Sequence, residues 1–413
     1  MIEGWYDFTL KETGIRIDYV LLLILLFLIF IIYSRLVVSK EEKSIYERNY
    51  WLYAIVPIIA FSLIEGLRYA RGVDYIGYVY TYLQSLDPKV ENEPLFMLLN
   101  KGMLLMGFPY CIAFVVYSLF WIVGILHLCE NFRYLLCWCI PFALIASIPS
   151  MENLVRQFVS LSFVMISLSF LLKKKYVMSC FWAVISFGFH LSSVIVVVII
   201  YTVYIIGRKE CFKLKSSLIA YFFFFFIFDI SFLDIFVLNV FPLLDLGDLK
   251  FSGYIENADK WFTSSAIRED YIRSVWGNIA LFLFDISLII MGRKSIQHEK
   301  NTKNEKALII VYNLFVIGAI GMQAVMELEI MRRFFRPLYM LWFVLAANIL
   351  YRYPLQKKLK SKWVIVGNYI ILGYILCVLF GKYILFTPSQ MFIWDSFKYR
   401  CTLQIYTPHF YVI

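Results

Sequence analysis

Apolar runs long enough to cross a lipid bilayer recur along almost the whole chain. A membrane-spanning helix needs about 20 mostly apolar residues, because every backbone polar group must be satisfied inside the segment. Such runs read at 20–38, 50–66, 110–129, 134–150, 154–172, 176–189, 191–206, 216–237, 272–291, 307–325, 337–350 and 363–386. They predict an all-α polytopic membrane protein of about twelve transmembrane helices in a single transmembrane domain over residues 1–413. The composition agrees: 62% of the residues are hydrophobic, 16% are charged, and the mean hydropathy is +0.75. A soluble enzyme, a disordered chain and a nucleic-acid-binding module are excluded on these grounds.

Charge sets the expected orientation. The segment before the first run holds Glu3, Asp7, Glu12 and Asp18 against Lys11 and Arg16, which does not suit a cleaved leader. Ser39-Lys40-Glu41-Glu42-Lys43 follows that run. With both termini outside, alternation places six connections inside, and these carry 22 of the 39 Lys and Arg. They include Lys173-Lys174-Lys175 and the Lys357–Lys362 cluster, as the positive-inside rule requires. Two long connections fall outside, 67–109 and 238–271. In the first, Pro94 suits a helix start, and the following stretch is too short to span. It reads as an interfacial or re-entrant helix on the outer face. The second reads as amphipathic and partly helical. Spans 176–189 and 191–206 read as a tight hairpin with His190 at its outer tip.

Arginine has the opposite distribution to lysine. Arg68, Arg71, Arg156, Arg268, Arg273, Arg332, Arg333 and Arg336 all fall on the expected outer side. A cation near the apolar zone on that side costs roughly 1 kcal/mol or more in insertion. The planar guanidinium is suited to bidentate contact with phosphate. The set points to an anionic substrate at the outer surface, weighed against ion pairs with Glu65, Glu93, Glu152 and Glu329. The stretch Arg68-Tyr69-Ala70-Arg71-Gly72-Val73-Asp74-Tyr75-Ile76-Gly77-Tyr78 adds an acid and two tyrosines as candidate sugar contacts. Asp229, Asp234 and Asp285 lie inside apolar runs and keep a transporter in view. The eight cysteines show neither a disulfide framework nor zinc spacing, and no metal or cofactor is expected.

The order Arg-x-x-x-Gly-x-Asp-Tyr-x-x-Tyr, here Arg68, Gly72, Asp74, Tyr75 and Tyr78, is followed by Glu93 and Phe96. Further on come Arg156-Gln157 at the start of a span, Lys173-Lys174-Lys175, His190-Leu191-Ser192-Ser193, and a Glu/Arg-rich stretch from Glu329 to Arg336. This pattern resembles the EpsG branch of the Wzy-type polysaccharide polymerases. Leu95 stands where that family often has glycine. The resemblance implies a helical bundle similar to the GT-C glycosyltransferases, with outer-face interfacial helices, in the bacterial inner membrane and with a periplasmic active site. It implies a metal-independent transfer between lipid-linked oligosaccharides carried on undecaprenyl pyrophosphate, with a chain-length regulator as a further partner. In this reading His190, Asp74 and Arg156 are catalytic. His190 is the preferred base and Asp74 a positioning group, with Glu93 and Glu329 next in line as bases. Arg68, Arg71, Tyr75, Tyr78, Glu93, Gln157, Arg332, Arg333 and Arg336 bind substrate. The alternative classes are a flippase for lipid-linked oligosaccharides and a membrane acyltransferase acting on a glycan.

Overall fold

In lipid the backbone gains most by closing its own hydrogen bonds, so the apolar runs become helices. The computed structural model describes residues 17–41, 49–69, 72, 74–88, 90, 93–207, 209–228, 275–297, 304–326, 328–357, 362–385 and 391–392. Both termini and the 238–271 connection, with Arg71, Asp229, Asp234, Arg268 and Arg273, lie outside these residues. Eight helices are long and apolar enough to cross a membrane. Three shorter apolar helices, Tyr176–Phe189, Ser193–Gly207 and Leu214–Phe226, occupy positions where the sequence suggests further spans. The chain divides into two compact units, Met1–Val194 with Ile375–Ile413, and Ile195–Tyr374.

The first unit contains α1 (Ile17–Glu41), α2 (Asn49–Gly66), strand β1 (Arg68–Tyr69), α3 (Tyr75–Leu83) and α4 (Pro94–Leu105). It continues with α5 (Tyr110–Cys129), a 3-10 turn (Glu130–Leu135), α6 (Leu136–Asn153), α7 (Val155–Leu172) and α8 (Tyr176–Phe189). Strand β2 (Met391–Phe392) pairs antiparallel with β1. The short helix expected after Pro94 is α4, with Pro94 in its first turn. Asn100, which interrupts its apolar pattern, is fully buried and accepts a hydrogen bond from the Tyr117 hydroxyl.

Helix α7 is the most deeply buried span. Its serines lock it to α8 at two levels seven residues apart. Ser160 Oγ donates to the Ser186 carbonyl at 2.8 Å, and Ser167 Oγ donates to the Ser179 carbonyl at 2.8 Å. Small hydroxyl residues let two helices approach closely and add hydrogen bonds where lipid offers none. At the lysine end of α7, Glu130 accepts from Lys173 at 2.6 Å and from Arg133 at 2.9 Å. Toward the other end an aromatic core gathers Tyr75, Phe96, Phe114, Tyr117, Phe163 and Phe189.

The second unit contains α9 (Ser193–Gly207, from Ile195 on), α10 (Leu214–Phe226), α11 (Val275–Gln297), α12 (Glu305–Ala324), α13 (Glu329–Tyr339), α14 (Trp342–Lys357) and α15 (Lys362–Gly373). Here α12 is the buried centre. Asn313 on α12 fastens the α9–α10 turn. Its amide donates to the carbonyls of Gly207 and Glu210, and its oxygen accepts from Phe212 N at 2.8 Å. Asp285 is fully buried on α11 and joins three further helices. Its carboxylate accepts from Tyr221 Oη at 2.7 Å, Tyr339 Oη at 2.8 Å and Gln323 Nε2 at 3.4 Å. These bonds give the charged group the partners that burial demands. Tyr339 is also the last residue of α13, the helix that bears Arg332, Arg333 and Arg336, so Asp285 anchors one end of that helix.

Candidate functional site

Three residues far apart in sequence meet in the first unit. Glu93 immediately precedes α4, Arg156 lies in the first turn of α7, and His190 caps the C-terminus of α8. Glu93 Oε2 accepts from Arg156 Nη1 at 2.8 Å, and Glu93 Oε1 lies 2.8 Å from His190 Nδ1. A single carboxylate therefore bridges the guanidinium and the imidazole. Burial pushes the Glu93 carboxyl up. The His190 hydrogen bond and the Arg156 charge outweigh that and hold it down at about 2. An ionised carboxylate can only accept, so the proton of the short contact sits on His190 Nδ1. Nε2 is then left with its lone pair, as a general base requires. Because the Glu93 value is depressed from 4.5, its ion pairs favour the folded site above about pH 4.5 and are lost as the pH falls toward 2.

Local sequence brings each member here. The His190 backbone is held on both sides, its N–H donating to Ser186 O and its carbonyl accepting from Ser193 Oγ at 2.7 Å. Gly188 permits the close approach of α4 to α8, because a Cβ there would press on the Leu95 side chain at 2.5 Å. Leu95 at the unusual position of the motif thus packs over Gly188 and seats Glu93 beside the end of α8. Tyr78 on α3 lies within reach of Arg156, with its ring edge-on to Phe96. Burial raises its phenol above the ordinary range, against the pull of Arg156.

The Arg68–Tyr78 stretch works mainly as a docking motif. Arg68 is buried, its guanidinium donates to the carbonyls of Glu65 and Glu152, and it lies over the Phe114 ring at 5.2 Å. Gly72 has φ +99° and sits against the backbone of Glu152, where any Cβ would overlap the carbonyl. The backbone N–H of Asp74 donates to Asn153 Oδ1 at 3.0 Å, while the residue itself is exposed. All three attach to Glu152 and Asn153, the corner from which α7 and Arg156 start. Tyr75 is buried and stacks on Phe114 with ring centroids 4.8 Å apart, a packing position. Gln157 is also buried.

The structure thus gathers Glu93, Arg156, His190 and Tyr78, with Arg68, Gly72 and Asp74 supporting them. Arg332, Arg333 and Arg336 are half-buried on α13 of the second unit. Sequence reasoning missed Glu152 and Asn153. Their one signal was their place just ahead of Arg156. Among the described residues no group of three or more His, Cys, Asp or Glu side chains is placed to hold a metal ion.

Comparison with known proteins returns one match. The model of the EpsG family matches residues 50–394, most of the chain. No curated protein and no solved structure matches it.

Proposed function

This chain belongs to the EpsG family, whose members are Wzy-like membrane polymerases of polysaccharide, and we propose that it extends a surface glycan by joining lipid-linked repeat units. In this reading the donor is the growing chain on undecaprenyl pyrophosphate. The acceptor is a sugar hydroxyl of an incoming lipid-linked unit. The reaction takes place at the periplasmic face of the bacterial inner membrane. The acceptor oxygen bonds to the anomeric carbon of the donor as the bond from that carbon to the pyrophosphate oxygen breaks. The acceptor proton passes to His190 Nε2, and the pyrophosphate leaves with the bonding electron pair. Arg156 stabilises its growing charge. Tyr78 and Asp74 hydrogen-bond the sugars. Arg332, Arg333 and Arg336 contribute further phosphate contacts. The chemistry asks nothing of a metal ion in this reading.

The Glu93 bridge is the observation that supports it best. It sets the His190 tautomer needed in a base and holds an arginine, suited to a phosphate, beside it.

Replacing Arg156 with Lys keeps the charge and loses the fork. Polymer yield or length is expected to fall sharply while the protein still inserts. Glycan ladders from cells carrying Arg156→Lys measure this. Wild-type ladders would reduce Arg156 to a structural ion pair. Loss of the protein should retain single repeat units. Lipid-linked units accumulating on the cytoplasmic side would instead indicate a flippase.

Orientation is tested by cysteine labelling in a background lacking the eight native cysteines. In cells with a permeabilised outer envelope, Lys174→Cys is expected to be shielded from a membrane-impermeant thiol reagent, and Glu256→Cys to react. The reverse pattern would put the site on the cytoplasmic side.

A further inference from the structure

Glu93 holds two partners that the proposed reaction uses at opposite ends. Arg156 meets the leaving pyrophosphate, and His190 takes the acceptor proton. Their exposures differ: the Arg156 side chain is 31% exposed, and those of Glu93 and His190 are each 15%. An incoming anion therefore reaches Arg156 before it reaches the other two. Pyrophosphate carries more charge than a carboxylate and offers oxygens spaced for both arms of a guanidinium, so it competes well with Glu93 Oε2.

We propose that Glu93 is a positioning residue that couples donor binding to base strength. Donor pyrophosphate draws Arg156 off Glu93, and the carboxylate, left to His190 alone, tightens its hold on the Nδ1 proton and strengthens Nε2 as the proton acceptor. This coupling rests on the polymerase reading only for the identity of the anion and of the proton donor. A carboxylate relieved of a neighbouring cation is a stronger hydrogen-bond acceptor, and a stronger acceptor at Nδ1 makes the other ring nitrogen more basic. The other titratable groups that face the trio are Tyr78 and Asp74, from α3 and its start. Helix α7 contributes Arg156, α4 carries Lys101 within its length, and α8 contains no charged residue. The coupling favours proton removal once a donor is in place, and it leaves the base weaker while the donor site is empty.

The test is the ring N–H resonance of His190 in full-length, detergent-solubilised protein labelled with 15N-histidine. The signal is assigned against His127, His298 and His409 by its loss in His190→Gln. Saturating inorganic pyrophosphate is expected to move the Nδ1 proton downfield in the wild type, as a shortened hydrogen bond does. Arg156→Gln is expected to show the downfield position with no pyrophosphate and no further change on its addition. In Glu93→Gln neither shift is expected. A downfield shift that survives Glu93→Gln would mean that the phosphate charge acts directly on the ring. An Arg156→Gln resonance at the wild-type position, or a wild type that does not respond to pyrophosphate, would overturn the coupling. If the coupling is observed but His190→Gln cells make normal glycan ladders, the coupling stands and the polymerase reading of the site falls.

Discussion

His190→Gln is expected to slow polymer formation by roughly 10²- to 10⁴-fold, the usual contribution of a positioned base, while the protein still accumulates in the membrane. Gln at this position keeps a polar side chain able to pair with Glu93 Oε1, so the Arg156–Glu93 contact survives. It has no nitrogen that can take a proton at neutral pH. Glu93→Gln should fall between this variant and the wild type, because the imidazole remains but its tautomer is no longer dictated. Asp74→Asn should cost less than either. Its main-chain N–H, not its carboxylate, makes the recorded contact to Asn153. The measurement is turnover of lipid-linked repeat units by purified protein, with glycan ladders in cells as a second readout. Normal turnover in His190→Gln, paired with arrest in Asp74→Asn, would transfer the role of base to Asp74. If both turn over normally, the base is neither.

A second large effect is expected at a residue with no chemistry of its own. Gly72→Ala places a Cβ at φ +99°, on top of the Glu152 carbonyl. A non-glycine residue held at positive φ costs about 1–3 kcal/mol before any overlap is counted. The overlap is with backbone, so no rotamer change relieves it. The corner at Glu152–Asn153 must shift, and Arg156 starts the next helix three residues on. A displacement of about 1 Å at a catalytic group can lower a rate about 10²-fold. Both thermal stability in detergent and polymer output should fall. Gly77→Ala is the control, since its Cβ would meet nothing within 4 Å and α3 there is regular helix. Alanine is the better helix former by up to about 1 kcal/mol. Gly72→Ala with wild-type stability and output would remove the docking role assigned to this stretch.

Much of the membrane architecture could be read from composition alone, because an apolar run near 20 residues has few other fates. The short α4 and the tight turn at His190 were also readable, the one from Pro94 and the other from the break in the apolar pattern. The span count is where length reasoning weakens. Tyr176–Phe189, Ser193–Gly207 and Leu214–Phe226 are apolar but have only 14, 15 and 13 residues. Arg156, His190 and Glu93 stood out as residue types in unusual places. That one carboxylate joins them could not be read, because Glu93 lies 63 residues from Arg156 and 97 from His190. No local spacing encodes such a contact. It depends on Gly188 admitting Leu95 and on the serine pairs that fix α8 against α7. The Arg68–Tyr78 stretch shows the converse. Its residue types suggested sugar contacts, and most of them instead bind the backbone of the next corner.

Helix α8 has one more consequence, for the lipid around it. Fourteen helical residues rise about 21 Å, against a hydrocarbon core of about 30 Å. Its serines tie α8 to α7 and leave it little freedom to slide, so the mismatch falls on the bilayer, which dimples inward beside it. The headgroup layer and its water then dip toward His190, where α8 stops. A carrier lipid diffusing in the plane would bring its charged head to the site without lifting its tail out of the membrane.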